Sequence, residues 1–446
     1  MYTDFTEGRI VRPLLAFAIP VLFSLFLQNL YGAVDLLIVG QFGNASDVSA
    51  VSTGSLLMQT VTFLITGLST GVSIICGHRI GEKKMNEVGK LIGSSLVFFL
   101  LVSLALTSIM FLFAPVAVTW MKAPPEAFDK TLAYVRICSI GMISISGYNL
   151  IGSIFRGIGD SKMPLVAVSI ASFFNILGDL VLVGYFGMGP EGAAIATIMA
   201  QTLSVLFSLL ILKKRHLPFS VGRKDIRLDI GITKKVLSLG CPTAIQDVLV
   251  TLSFLFIISI GNSLGVVASA GVGIAEKVCG LVMLIPCAYN QSIAAFVSQN
   301  DGAGRLDRAK KALVVSILIS FITGAMIFYA AFFHGDILSA VFSSDKAVIA
   351  ASADYLRAYA IDCLLVSFYF CFLGYLIGRG RTFFVMLVGI IGSFCVRVPL
   401  SYLFSKIEGI TLFGIGLSIP ISTIIQITLV VIYFTSLLKK DKQTAR

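Results

Sequence analysis

Two aspartates stand in stretches otherwise fit for hydrocarbon: Asp35 in NLYGAVDLLIVG and Asp179 in FFNILGDLVLVGYF. Ionisable side chains in such runs are costly and mostly mark functional sites. Asn175 precedes Asp179 by four residues, one helical turn away on the same face. Thr197, in EGAAIATIMAQ, adds a hydroxyl. If these stretches are membrane helices, Asp35 lies near the outer end of the first. Asp179 and, on the returning helix, Thr197 then reach a similar depth. Two carboxylates, an amide oxygen and a hydroxyl at one level suit two chemistries. They can cage a hard cation such as Na+ with oxygen ligands. Alternatively, burial and mutual repulsion can keep a proton on one carboxyl group near neutrality. Either would tie an ion to a conformational change.

The elements that must hold these residues are membrane helices. Of 446 residues, 57% are hydrophobic and 13% charged, with mean hydropathy +0.95. Soluble domains carry about 25% charged residues, and water would not tolerate this much apolar surface. A crossing helix needs about 20 mostly apolar residues. Twelve such runs are predicted, at 14–39, 53–76, 91–117, 133–155, 164–187, 192–212, 236–260, 269–298, 312–333, 355–377, 383–404 and 413–436. The start, MYTDFTEGRIVRP, is polar, and the first apolar run is too long for a cleavable leader. The expected class is therefore an all-α integral membrane protein.

Basic residues set the expected orientation. With the N-terminus inside, the inside segments hold 26 of the 34 Lys and Arg and the outside segments 5. Both termini are then cytoplasmic. The +11 net charge becomes a topology signal that also suits anionic lipid heads, and nucleic-acid binding is not expected.

The chain also repeats itself. Pro20 and Pro242, Gly43 and Gly265, and Gly192 and Gly414 are 222 residues apart. Gly81 and Gly302, Tyr134 and Tyr355, and Arg136 and Arg357 are 221 apart. Six helices in each half give both halves the same orientation, a parallel repeat. The expected domains are an N-lobe over 1–212, a basic cytoplasmic linker over 213–235 and a C-lobe over 236–446. At an offset of 221 or 222 the second half meets Asp35 with Ile257, Asn175 with Val396 and Asp179 with Leu400. The second half carries its own polar residues, among them Gln246, Asp247, Glu276, Lys277, Asp362 and Arg397. Glu276 and Lys277 are expected to neutralise each other.

Further motifs narrow the reading. Pro20 and Pro242 remove a helix hydrogen bond each and permit bends. GIGD at 157–160 has the GxGD form of some intramembrane aspartyl proteases, but its basic, loop-like setting reads as a Gly-rich turn. No GxxxxGK[ST] occurs, so direct ATP drive is not expected. The eight cysteines lie in apolar runs without a CxxC pair, and His78, His216 and His334 are scattered. Neither set reads as a disulfide framework or a metal site.

Together these features resemble the MATE (multidrug and toxic compound extrusion) transporters. The resemblance rests on the two six-helix lobes, Pro20 and Asp35 in helix 1, and Asn175 and Asp179 in helix 5. It rests also on GAAIAT in helix 6 and the paired endings GEKKMNEVGK and GAGRLDRAKK. It implies a secondary antiporter, not an enzyme, that exports cationic amphipathic compounds in exchange for H+ or Na+ by a rocker switch. The short loops and lack of extensions suggest a bacterial plasma (inner) membrane, and a role in drug or antibiotic resistance, a monomer and no cofactor beyond the coupling ion are expected. The cation site, including any Na+, would use Asp35, Asn175, Asp179 and Thr197. Substrate would meet Gln28, Asn29, Tyr31 and Asp362, with Asn29 and Tyr31 alternatively bonding neighbouring helices. Pro20 and Pro242 would be hinges. In one family branch helices 7 and 10 of the second lobe hold an acidic cation site. Here the stretch around Val250 is apolar and Asp362 lies about a turn away, so such a site is not expected. The alternatives are a lipid-linked oligosaccharide flippase of the same superfamily and, further off, an intramembrane hydrolase using Asp35 and Asp179.

Overall fold

The computed structural model describes residues 4–214, 219–407 and 409–444. Arg215, His216 and Arg446 lie outside the described residues. The described residues form helices joined by short turns, without a strand. In hydrocarbon an open backbone has no partner, and a helix satisfies its own.

Among the described residues eleven helices are long and apolar enough to cross a membrane. In chain order they are α1 (Val11–Phe42), α2 (Ala45–Gly81), α3 (Met85–Trp120), α5 (Lys162–Tyr185), α6 (Gly189–Lys214) and α7 (Ile230–Ser263). They continue with α8 (Val266–Gly302), α9 (Leu306–Phe333), α10 (Lys346–Gly378), α11 (Thr382–Ser405) and α12 (Leu412–Gln443). The remaining crossing, α4, is a bent pair, Pro125–Ile140 and Met142–Gly157, meeting at 54°. The expected twelve crossings are thus present, six per half. Gly141 stands at the bend of α4, and a Cβ there would overlap Ile198 of α6. The missing side chain lets the two helices close up.

Several helices outrun their apolar windows, because caps and not hydropathy end a helix. The predicted second run starts at 53, yet α2 starts at Ala45. Asn44 accepts hydrogen bonds from the backbone N–H of Ser46 (3.0 Å) and Asp47 (3.1 Å), and Asp47 accepts from the N–H of Asn44 (2.9 Å). Lys130 of α4 pairs with Asp47 at 2.6 Å. Asp345 caps α10 in the same way, through Ala347 N at 2.8 Å.

Two crossings contain π-helical turns, a device often found beside functional sites. In α5 the turn spans Leu180–Tyr185 and begins directly after Asp179. In α11 it spans Ile391–Arg397 and ends on Arg397.

Packing divides the chain into two compact units. The first comprises the N-terminal segment to Glu7, Leu15–Ala244 and Ser298–Gly304. Its core includes Ile65, Phe99, Met142 and Phe155. The start of α7 belongs to it because α2 offers bare glycines there. A Cβ on Gly67 would overlap Ala244, and Thr243 donates to the Gly67 carbonyl at 3.0 Å. The last turn of α8 belongs to it through Gln299, which accepts from Phe5 N (3.2 Å) and donates to the Gly157 carbonyl (3.1 Å). The turn after α2 is held by Glu82, paired with Arg79 (2.6 Å) and Lys84 (3.0 Å). Slight burial works against ionisation of Glu82, but its hydrogen bonds from Arg79 and Lys84 outweigh that and hold the carboxyl below its ordinary range.

The second unit comprises Gly8–Leu14, Ile245–Val297 and Arg305–Arg446. Its core gathers Val272, Ala275, Cys279, Tyr355, Tyr359 and Ile415. Pro20 and Pro242 lie inside helices that run through them without a break. Ser24 donates to the Pro20 carbonyl at 2.8 Å.

Candidate functional site

The acidic site forms where α1, α5 and α6 meet in the first unit. α5 and α6 approach closely because Gly178 faces Ala196, whose Cβ would lie 2.9 Å from a Cβ on the glycine. That contact brings the next residues along each helix, Asp179 and Thr197, to one level. Asp35 enters from α1, with its carboxyl in side-chain contact with Asp179, Asn175 and Thr197. Asp35 is 7% exposed, Asn175 1% and Asp179 0%. Thr197 Oγ1 lies 3.5 Å from Asp35 Oδ2 and 3.0 Å from the Ala193 carbonyl. Asn175 Nδ2 donates to Thr197 Oγ1 at 3.3 Å.

The hydrogen-bond count at this site does not close. Asp35 Oδ1, Asn175 Oδ1 and both carboxylate oxygens of Asp179 are buried without a hydrogen-bond partner. Buried acceptors are normally paired, and each exception calls for a reason. Four converging oxygens with nothing to donate to them form a donor set for a hard cation, or a place for a proton shared between two carboxyls. Among the described residues no three His, Cys, Asp or Glu side chains gather as a site for a heavier metal.

A neutral polar layer adjoins the acidic pair. Gln28 donates to Tyr148 Oη at 3.0 Å. Tyr31 lies beside Tyr148, Asp35 and Gln201. Asn29 is not drawn in: it is exposed and donates to the Leu25 carbonyl at 3.0 Å. Tyr134, 4% exposed, borders both Asp35 and Asp179. Tyr134, Tyr148 and Gln201 were not among the expected site residues. The match of Tyr134 to Tyr355 is the one sequence signal that points to any of them.

Asp362 belongs to the second unit and has different neighbours. It is 1% exposed, its Oδ1 has no hydrogen-bond partner, and its surroundings include Thr423 and Arg397. Glu276 accepts from Tyr355 Oη at 2.9 Å. The expected pairing of Glu276 with Lys277 does not form. Successive residues on a helix point about 100° apart, and Lys277 is exposed.

GIGD is a turn and a helix start. Gly159 takes φ +81°, and Asp160 accepts from the N–H groups of Lys162 (3.0 Å) and Met163 (3.2 Å). The aspartate is engaged in capping α5.

A twelve-crossing helical membrane protein, built twice over with its adjoining pair of buried carboxylates, Asp35 and Asp179, in the first half, has the architecture of a transporter. The MatE family model matches residues 20–181 and again 242–403, starting at Pro20 and at Pro242. Over 94% of its length the chain is 25% identical to "Probable multidrug resistance protein YpnP" of Bacillus subtilis, covering 93% of that relative. It is 24% identical to "Probable multidrug resistance protein YoeA" of the same organism, over 97% of this chain and 95% of the other. The fold superposes on "Crystal structure of MATE in complex with MaL6" with a TM-score of 0.93, at 20% identity and 99% coverage of each chain. The chain belongs to the MATE family, whose members are transporters and not enzymes.

The family match also refines the register of the repeat. Its two segments begin and end 222 residues apart. At that offset Asn175 corresponds to Arg397 and Asp179 to Ser401, one residue beyond the counterparts read at 221. Ser401 shares a 2.6 Å hydrogen bond with Ser418, so this position in the second half is neutral and satisfied.

Proposed function

We propose that the chain is a secondary active antiporter that exports cationic amphipathic drugs or toxic organic compounds in exchange for H+ or Na+. The observation that carries the reading is the set of four buried oxygens on Asp35, Asn175 and Asp179 without a hydrogen-bond partner. A site that lacks only positive charge is one that a proton or Na+ can complete. The names of the multidrug resistance relatives support drugs as the exported class.

In this reading the ion enters from outside and neutralises Asp35 and Asp179. α1 then bends near Pro20, about 22 Å of helix from Asp35, and the adjoining pocket shrinks and expels the drug. Pro242 serves α7 in the same manner. Gln28 and Tyr31 meet the drug in the first half, Asn29 at its edge, and Asp362 in the second. Ion and drug bind in mutually exclusive states of a rocker switch, which suffices for exchange. The chain works as a monomer, with no cofactor beyond the ion and with lipid and small cations as its partners. It lies in the plasma membrane with both termini in the cytoplasm, supported by the 26-to-5 bias of basic residues.

Ethidium efflux from cells tests the site. Asp35→Asn and Asp179→Asn should each abolish efflux while the protein still reaches the membrane; unchanged efflux in both would end the proposal. In proteoliposomes a pH jump and a sodium jump, applied separately, identify the coupling ion.

A further inference from the structure

The second unit holds a charged cluster of which the drug-and-ion cycle above uses only Asp362. Arg397, at the end of the π-helical turn of α11, is 7% exposed. Its guanidinium lies over the Phe254 ring, 4.7 Å from the centroid. Nε and Nη1 are buried without a hydrogen-bond partner, and Nη2 is not among these enclosed atoms. Glu276, Asp362 and Tyr369 are its electrostatic neighbours, yet Arg397 forms no ion pair among the described residues. Asp362 Oδ1 is likewise buried without a partner, and Glu276 is half-buried at the edge of the cluster. Unpaired donors and an unpaired acceptor thus lie in one cluster without meeting each other. Direct pairing would be the natural way to satisfy both, since a buried charge left without a partner is strongly destabilising. A ligand carrying an acceptor and a donor satisfies both at once.

We propose that this cluster is a binding site for zwitterionic amphipaths, in which Arg397 takes the ligand's carboxylate and Asp362, with Glu276, takes its amine. Phe254 packs against the guanidinium by a cation–π contact that leaves its N–H donors free for a carboxylate. At the acidic site of the first half the orphan atoms of Asp35, Asn175 and Asp179 are all oxygens, so that site recognises positive charge. The second adds recognition of the acidic group. The proposal rests on the export reading and extends its substrates from cations to amphoteric compounds.

The test uses the purified full chain and a matched dye pair, a rhodamine bearing a free carboxylate and its methyl ester, which is purely cationic. Binding is read from the fluorescence polarisation of the dye. The wild-type chain should bind the free acid about tenfold tighter than the ester, the size of one charge-assisted contact. Arg397→Gln should erase that preference while keeping ester affinity, which also reports that the variant is folded. Arg397→Lys should keep part of it. Asp362→Asn should weaken both dyes alike and leave their ratio in place. A wild-type chain that binds both dyes without preference, or an Arg397→Gln variant that keeps the preference, overturns this inference alone. A wild-type chain that binds neither dye overturns the export reading with it.

Discussion

The fifth crossing of each half has the same length and carries a π-helical turn, yet the two present opposite chemistry. In α5 the residues are Asn175 and Asp179, and the buried atoms without partners are oxygens. In α11 the corresponding residues are Arg397 and Ser401; the atoms without partners are guanidinium nitrogens, and the serine is satisfied by Ser418. Asp35 of α1 corresponds to Ile257 of α7, 1% exposed in an apolar core. A duplicated scaffold has therefore kept its helix packing while two positions differ in charge, an amide facing a guanidinium and a carboxylate facing a hydroxyl. Packing constrains side-chain size and close approach. Charge at these buried positions adds little to that packing, so it is free to diverge.

The largest effect that would break this comparison is loss of transport. Asp179→Asn should reduce ethidium efflux to background without lowering the thermal midpoint in detergent, because a buried carboxylate without a partner opposes folding and its removal breaks no hydrogen bond. A large loss of stability with efflux retained would make Asp179 a structural residue.

Transplanting the aspartate gives the next largest effect. Ser401→Asp puts a carboxylate one turn from Arg397, where the two can pair. The same change in an Arg397→Gln background buries an uncompensated charge and should cost about 3–5 kcal/mol more. Thermal denaturation of the single and double variants in detergent reads the difference. Equal loss in both would show that Arg397 does not set the local charge.

A satisfied carboxylate makes the sharpest contrast. Asp47 caps α2 and pairs with Lys130, so Asp47→Ala should cost about 1–2 kcal/mol of stability. Efflux normalised to folded protein should stay near wild type, the reverse of Asp179→Asn.

The smallest effect belongs to Glu82. Its carboxyl is held below the ordinary range by Arg79 and Lys84, so its contribution is present at neutral pH and is lost as the pH falls through its folded value. Glu82→Gln should lower the thermal midpoint slightly at neutral pH, by less than about 1 kcal/mol, with the difference closing in acid.

Much of this was legible in the residues. Apolar runs gave the crossings, because hydrocarbon admits only long uncharged helices. The constant offset gave the repeat. Asp35, Asp179 and Asn175 were identifiable because a charge in such a run stands out, and α5 stays regular up to Asp179, so the four-residue spacing to Asn175 keeps its face. The same reasoning fails in α11. A π-helical turn spans Ile391–Arg397, and each such turn takes in more residues than an α turn, rotating the residues beyond it away from the face a 3.6-residue period assigns. Glu276 shows a similar limit, since its partner Tyr355 lies 79 residues away while its sequence neighbour Lys277 points elsewhere.

By itself, then, the sequence determined the helical membrane class, the duplicated layout and the acidic residues of the first half, all written in local periodicity and composition. Only the tertiary structure decided the bend of α4 at Gly141 and the meeting of Asp179 with Thr197 across the Gly178–Ala196 contact. It alone decided that Arg397 and Asp362 lie in one cluster without an ion pair. Those outcomes depend on how closely helices far apart in sequence approach, and that distance is set by small residues and irregular turns acting together, which no single stretch of sequence contains.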